Sequence, residues 1–293
     1  MELYIAKHGG FCFGVKRAVE TAIATTEAHD ARRPIYTYGP IIHNQDVVKM
    51  LAERGAQVID TLDDIHDCTV IVRSHGVGEA FYKEAEEKHL DVIDTTCVFV
   101  KKVHRLVKES AEKGERIIIC GDPDHPEVKG ICGWAADKIH VVDSVENCEK
   151  LVTMLLAYRD PLCIVAQTTL NTKLWEALTE QFKKLPLQIH IHNTICSATR
   201  LRQDEVHDIA QKVDFILVIG GKESSNTQKL FEIAKKYQKK AQHIENVDEI
   251  NVNFLKKYDK IGIVAGASTP DWVIQEVIQK LKSEGEVVVN GRQ

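Results

Sequence analysis

The stretch Asp91-Val92-Ile93-Asp94-Thr95-Thr96-Cys97-Val98-Phe99-Val100 runs from a short apolar segment through a thiol into a helical pattern. Asp91-Val92-Ile93 reads as the end of a buried strand, while Val100, Val103, Leu106 and Val107 recur at the spacing of one helix face. Cys97 therefore falls at a helix N-terminus, where unpaired backbone N–H groups and the helix dipole suit a thiol to binding a metal as thiolate. The same joint occurs twice more, at Gly9-Gly10-Phe11-Cys12-Phe13-Gly14 and at Asn193-Thr194-Ile195-Cys196-Ser197.

The three joints open the copies of an internal repeat. After each cysteine an amphipathic helix is expected, over Val15 to Thr25, Val98 to Glu112 and Arg202 to Lys212. A Val/Ile-rich strand then enters a polar turn: Ile35 to Pro40 before His43-Asn44-Gln45, Ile117 to Gly121 before His125-Pro126-Glu127, and Phe215 to Gly221 before Ser224-Ser225-Asn226. Cys97 to His125 and Cys196 to Ser224 both span 28 residues, and Cys12 to His43 spans 31. An apolar pair closed by an acidic turn follows (Val58-Ile59-Asp60, Val141-Val142-Asp143, His243-Ile244-Glu245). Another buried strand then ends in small polar residues: Val70 to Gly76, Cys163 to Thr169, Ile261 to Thr269. In the third copy Thr269-Pro270-Asp271 reads as an N-cap with proline in the first turn.

Strands alternating with helices of roughly 10 to 15 residues are the pattern of parallel α/β sheets. The expected fold is α/β, with three similar domains in a pseudo-threefold assembly: residues 13–97, 98–194 and 195–282, the strand in 1–12 joining the third and 283–293 forming a tail. In such sheets ligands bind beyond the carboxyl ends of the strands, where every cysteine and polar turn named above falls.

Composition narrows the class. With 293 residues and 44% hydrophobic content the chain can bury a substantial core. A net charge of −5 offers no basic field for a phosphate backbone, which argues against nucleic acid as partner. No run approaches the ~20 apolar residues of a membrane helix, and Met1 to His8 lacks the pattern of a signal peptide. A cytoplasmic protein is expected. Its eight cysteines include no C-x-x-C pair and are read as free thiols.

Three thiols delivered to one place, with no evident fourth, match an iron–sulfur cluster that leaves one iron without a protein ligand. A zinc ion with a water in the fourth position uses the same donors. From spacing alone the three cysteines read equally as ligands or as buried thiols; the threefold repetition favours a metal. Cys120 and Cys163 read as core, Cys68 and Cys148 as residues of acidic turns, and Cys132 as a weak site candidate. His43, His75 and His125, with Ser224, Ser225, Asn226 and Ser268, supply hydrogen-bond donors and little fixed charge, which suits a phosphorylated ligand. Glu127 is the natural proton donor of that ring. The remaining histidines, His29, His66, His89, His190 and His207 among them, read as surface residues. Gly220-Gly221 is a weak phosphate signal.

Seven motifs in order carry a resemblance: Phe11-Cys12-Phe13-Gly14-Val15, Arg73-Ser74-His75-Gly76, Asp94-Thr95-Thr96-Cys97, His125-Pro126-Glu127-Val128, Gln167-Thr168-Thr169-Leu170, Asn193-Thr194-Ile195-Cys196 and Ser224-Ser225-Asn226-Thr227. The sequence resembles the 4-hydroxy-3-methylbut-2-enyl diphosphate reductases, the IspH/LytB family, from Met1 to about Leu281. The resemblance implies a trefoil around one central 4Fe-4S cluster, with Cys12, Cys97 and Cys196 as ligands and an open apical iron. It implies two-electron reductive dehydroxylation of an allylic alcohol diphosphate to isopentenyl and dimethylallyl diphosphate, closing the non-mevalonate pathway. His43, His75, Ser224, Ser225, Asn226 and Ser268 would hold the diphosphate with His125 beside them, Thr168 would contact the substrate hydroxyl, and Glu127 would supply protons. A ferredoxin or flavodoxin would donate electrons. The alternatives are an aconitase-type hydro-lyase, which needs no reductant, and a non-catalytic cluster-bearing sensor.

Overall fold

The computed structural model describes residues 1–28, 33–135, 137–283 and 287–291. The chain parts into two compact units. The terminal unit takes Met1–Lys16, His43–Asp46 and Ser197–Gln293; the central unit takes Arg17–Ile42 and Val47–Cys196. His29 and residues 284–286 and 292–293 of the tail lie outside the described residues.

The central unit holds two four-stranded parallel sheets. In spatial order one consists of Ala56–Ile59, Ile35–Tyr38, Thr69–Val72 and Asp91–Asp94, and the other of Ile139–Val142, Arg116–Cys120, Leu162–Ala166 and Ile189–His192. The terminal unit holds one five-stranded parallel sheet: Ala241–Ile244, Phe215–Ile219, Lys260–Ala265, Glu2–Ile5 and Val288–Gly291. Lettered in chain order, the first four positions of every sheet run b-a-c-d. In the third sheet the N-terminal strand takes the d place, and the tail adds a fifth strand that the sequence left unread.

Central strands covered by helices on both faces lose the polar alternation of a half-exposed strand. Accordingly Thr69–Val72, Arg116–Cys120, Leu162–Ala166 and Phe215–Ile219 are buried at every position. Period-two geometry sorts their side chains between two cores: Ile117, Ile119, Cys163 and Val165 on one face, Ile118, Cys120, Leu162 and Ile164 on the other. Cutting Ile118, which is wholly buried, to alanine would cost about 2–5 kcal/mol.

Helices begin directly after the three cysteines, at Phe13–Glu27, Val98–Glu112 and Ser197–Ala210. The third therefore starts and ends earlier than its apolar spacing suggested, because its first turn is polar (Ser197, Thr199, Arg200) and carries little periodicity. The helix Asp271–Lys282 is capped by Pro270 without a side-chain bond. The expected cap, Thr269, instead donates its hydroxyl to the Ile219 carbonyl at 2.9 Å, so the buried strand end takes it.

Candidate active site

In each sheet the chain passes from strand a to b, then crosses back over a to lay c on its other side. The crevice between the carboxyl ends of a and c is the switch point at which ligands bind in open α/β sheets. The turns His125–Glu127 and Ser224–Asn226 follow strand a in their sheets, and each cysteine follows a strand d.

Each cysteine is held there by the same bond. Its backbone N–H donates to the carbonyl of the second residue beyond strand c: Cys97 to Ser74 at 3.0 Å, Cys196 to Thr168 at 3.0 Å, Cys12 to Ala267 at 3.1 Å. Two residues before the thiol a threonine adds a clasp where one is present. Thr95 donates its hydroxyl to the Val72 carbonyl at 2.6 Å, and Thr194 does the same to the Ala166 carbonyl at 2.5 Å. All eight cysteines are free thiols, yet they fall into distinct environments. Cys12, Cys97 and Cys196 are half-buried at helix starts, while Cys68, Cys120, Cys148 and Cys163 are wholly buried.

In the central unit the site residues form an unbroken run of contacts from Cys97 to Cys196. Ser74 holds the Cys97 amide, and next to it His75 meets His125 edge to face, with ring centroids 5.3 Å apart. His125 caps the helix Pro126–Cys132, its Nδ1 accepting the Glu127 N–H at 3.1 Å. Glu127, 1% exposed, accepts the Thr168 N–H at 2.6 Å on Oε1 and the Thr168 hydroxyl at 2.7 Å on Oε2. Burial penalises its charged form more than the Thr168 bonds favour it, and its pKa is raised to about 7. The Thr168 carbonyl in turn holds the Cys196 amide. Glycines let the two sheets' loops meet: a Cβ on Gly133 would lie 2.5 Å from the Gly78 Cα, and one on Gly130 3.2 Å from the Gly76 carbonyl oxygen.

The terminal unit presents a second run. Ala267 holds the Cys12 amide, and the neighbouring Ser268 donates its hydroxyl to the Ser224 hydroxyl at 3.0 Å. Ser224 also accepts the Thr227 N–H at 3.4 Å as N-cap of the helix Ser225–Tyr237. Asn226, on the first turn, is 4% exposed, and both its amide nitrogen and its amide oxygen lack a hydrogen-bond partner among the described residues. A buried amide left so costs about 1–3 kcal/mol, which a polar ligand would recover. Gly220 and Gly221 serve close approach. A Cβ on Gly220, whose φ is +144°, would meet the Thr269 hydroxyl at 2.5 Å, and one on Gly221 would meet the His43 carbonyl oxygen at 2.4 Å. Gly221 thus sets the backbone of His43. Ser225, half-buried, sits between Ser224 and Asn226.

Other readings are corrected. Cys148 lies on the helix Val145–Leu155, not in a turn, and its thiol approaches the Leu178 carbonyl at 3.8 Å; burial raises its pKa to about 11. Cys68, directly before strand c, is buried in the core beneath it. Both belong to cores because the helix and the strand they adjoin are covered. Cys132 packs on the cluster of Val103, Val107 and Ile131. His66 and His89 are exposed as expected, but His104 is buried, stacked on Trp134 at 5.3 Å, with its pKa lowered by desolvation to about 4. His190 is half-buried and pairs with Glu115 at 3.0 Å, and His207, also half-buried, packs edge to face on Tyr237. Periodicity alone could have found His104, since it follows Val103 on the buried face of its helix. Among the described residues no helix is long and apolar enough to cross a membrane.

Known proteins share this sequence pattern and this fold. The family model described as LytB protein matches residues 3–282. A 4-hydroxy-3-methylbut-2-enyl diphosphate reductase of Caldanaerobacter subterraneus subsp. tengcongensis is 48% identical over 97% of this chain and 97% of its own. That of Alkaliphilus oremlandii is 45% identical over 97% and 100%. The solved structure of the E-1-hydroxy-2-methyl-but-2-enyl-4-diphosphate reductase from Plasmodium falciparum superposes with a TM-score of 0.89 at 30% identity, covering 99% of this chain and 92% of that one. A second solved structure, described as the terminal enzyme of the non-mevalonate pathway, gives a TM-score of 0.69 at 36% identity, covering 96% of this chain and 99% of that one. With a family model spanning nearly its whole length and full-length relatives well above 40% identity, this chain belongs to the LytB family of 4-hydroxy-3-methylbut-2-enyl diphosphate reductases.

Proposed function

We propose that this chain reduces (E)-4-hydroxy-3-methylbut-2-enyl diphosphate to isopentenyl and dimethylallyl diphosphate, the last step of the non-mevalonate isoprenoid pathway. The overall balance is two electrons and two protons in, one water and one carbon–hydrogen bond out. The observation that carries the reading is the buried Glu127 carboxyl, bonded twice to Thr168, whose own carbonyl holds the Cys196 amide.

The residues fit an iron–sulfur cofactor. Three half-buried thiols stand at helix N-termini on equivalent backbone bonds, set apart from the buried core cysteines. In this reading Cys12, Cys97 and Cys196 hold one 4Fe-4S cluster per chain, and each is delivered by one α/β repeat: 13–97, 98–194, and 195–282 with 1–12. When bound, the cluster supplies electrons and, at an iron without a protein ligand, a Lewis acid for the substrate oxygen.

The chain's own groups do the rest. Glu127, holding a proton near neutrality, donates it through the Thr168 hydroxyl so that the substrate oxygen leaves as water rather than hydroxide. Asn226, Ser224, Ser225 and Ser268 bind the diphosphate with uncharged donors, joined by His43, His75 and His125. Anchoring the anionic tail fixes the allylic C–O bond at one distance, which makes its cleavage effectively intramolecular. The electron donor is a small redox protein such as a ferredoxin or flavodoxin, and the setting is cytoplasmic.

The test is an anaerobic iron and sulfide count per chain, followed by turnover with and without dithionite. About four irons and strictly reductant-dependent substrate loss are expected. Substrate loss without reductant would point to a hydro-lyase, and reduced protein that substrate cannot reoxidise would point to a sensor.

A further inference from the structure

The direction in which a cysteine at a helix start aims its sulfur depends on the peptide plane before it, and that plane can be held at its nitrogen and at its oxygen. Cys97 has both. Its N–H goes to the Ser74 carbonyl, and the oxygen of the same peptide, that of Thr96, accepts from Nη2 of Arg17 at 2.5 Å. The same Nη2 donates to the Thr95 carbonyl at 3.1 Å. Thr96 N–H is itself tied to Asp94 Oδ1 at 2.9 Å. Arg17 rides on the helix Phe13–Glu27, is half-buried, and has no carboxylate partner among the described residues, while its Nε is buried without a hydrogen-bond partner.

A related contact stands before Cys12. Arg202, 7% exposed on the helix that follows Cys196, donates Nη2 to the Gly10 carbonyl at 2.7 Å and Nη1 to the Ala198 carbonyl at 2.9 Å. Gly10 lies two residues before Cys12, whose N–H is held by Ala267. Arg17 spends one nitrogen on both carbonyls before Cys97, whereas Arg202 divides its donors between the Gly10 carbonyl and its own helix; each rides on a helix that begins at a different cysteine. Exposed arginines seek carboxylates; Arg17 instead spends Nη2 on two backbone oxygens beside a thiol. A cation placed so adds a charge that no carboxylate among the described residues offsets, and a thiolate-held cluster carries negative charge.

We propose that Arg17 is a positioning residue for Cys97: it locks the Thr96–Cys97 peptide and adds a positive charge that raises the reduction potential of the cluster held there. Arg202 holds the Cys12 loop one peptide earlier, at the Gly10 carbonyl. The inference rests on reading Cys97 and Cys12 as cluster ligands, but its first measurement does not need the cluster.

Hydrogen exchange of the metal-free protein reads the lock. In Arg17→Met the amides of Thr95 to Cys97 exchange at least about tenfold faster, as expected for loss of a charge-assisted hydrogen bond, while those of Gly10 to Cys12 keep the wild-type rate. Arg202→Met shows the reverse. The anaerobically reconstituted protein, titrated with dithionite and followed by electron paramagnetic resonance, reads the charge. Arg17→Met lowers the midpoint potential, and Arg17→Lys, which keeps the charge and loses the fork, restores it without restoring the slow exchange. If Arg17→Met fails to accumulate, fast exchange at 95–97 in Arg17→Lys carries the test. Wild-type exchange at 95–97 in either Arg17 variant, or equal potentials in Arg17→Met and wild type, would overturn the proposal. A wild-type protein that takes up no iron would strike the ligand reading instead, leaving the exchange rates to decide on Arg17.

Discussion

Replacing Glu127 by glutamine keeps the size of the side chain and its capacity to accept the Thr168 N–H, and removes the proton and the charge. In the folded protein burial raises the carboxyl from 4.5 to about 7, and each pKa unit corresponds to about 1.4 kcal/mol. Ionising Glu127 in the fold therefore costs about 3 kcal/mol more than ionising it in the unfolded chain. The sign follows from the proton count. Between pH 4.5 and about 7 the folded state holds a proton that the unfolded state has released, so the stability this group contributes is complete below 4.5 and falls as the pH rises to about 7. Glu127→Gln has no such loss. Urea unfolding of the metal-free protein from pH 4.5 to 8.5 should show the variant gaining on wild type by about 3 kcal/mol, with the gain levelling off above pH 7. Turnover should meanwhile drop by about 100- to 10,000-fold, the usual contribution of a general acid. Wild-type turnover should fall about tenfold per pH unit above 7 as the proton is lost. A stability gap that ignores pH would refute the burial argument, and a fully active variant would remove Glu127 from proton delivery.

Three further outcomes follow from the same geometry. Serine at any one of Cys12, Cys97 or Cys196 should deplete bound iron, whereas Cys120→Ser, in the core, should keep it; equal iron in all four variants would show the ligand assignment to be wrong. Asn226→Leu replaces an unsatisfied buried amide by an apolar group of similar volume. Thermal denaturation should show a protein about 1–3 kcal/mol more stable, while calorimetry with inorganic pyrophosphate shows binding weakened by at least about tenfold. Gly221→Ala would drive a methyl to 2.4 Å from the His43 carbonyl oxygen, so backbone must shift; KM should rise with kcat less affected, and an unchanged KM would dissociate His43 from substrate binding.

Strand-to-helix joints, the Val/Ile runs and the polar turns at strand ends were all legible in the sequence, because each is a local pattern of period or of residue type. The repeat made equivalent strands, helices and polar turns legible in three copies, while the strand order b-a-c-d came from pairing between distant strands. Local patterns also misled. Thr269 next to Pro270 looks like a cap, yet a buried carbonyl 50 residues away claims its hydroxyl. Cys148 sits among acidic residues in the sequence and in a sealed core in the fold.

The amino-acid sequence alone determined where the thiols stand relative to the helices, since a helix start is written in the few residues around it. That Glu127 and Thr168, 41 residues apart, share two hydrogen bonds in a buried crevice is a result of packing. So is the closing of Arg17 on the Cys97 loop from 79 residues away. A carboxyl's proton affinity and a peptide's orientation depend on everything packed around them, and packing is a property of the whole chain that no stretch of it contains.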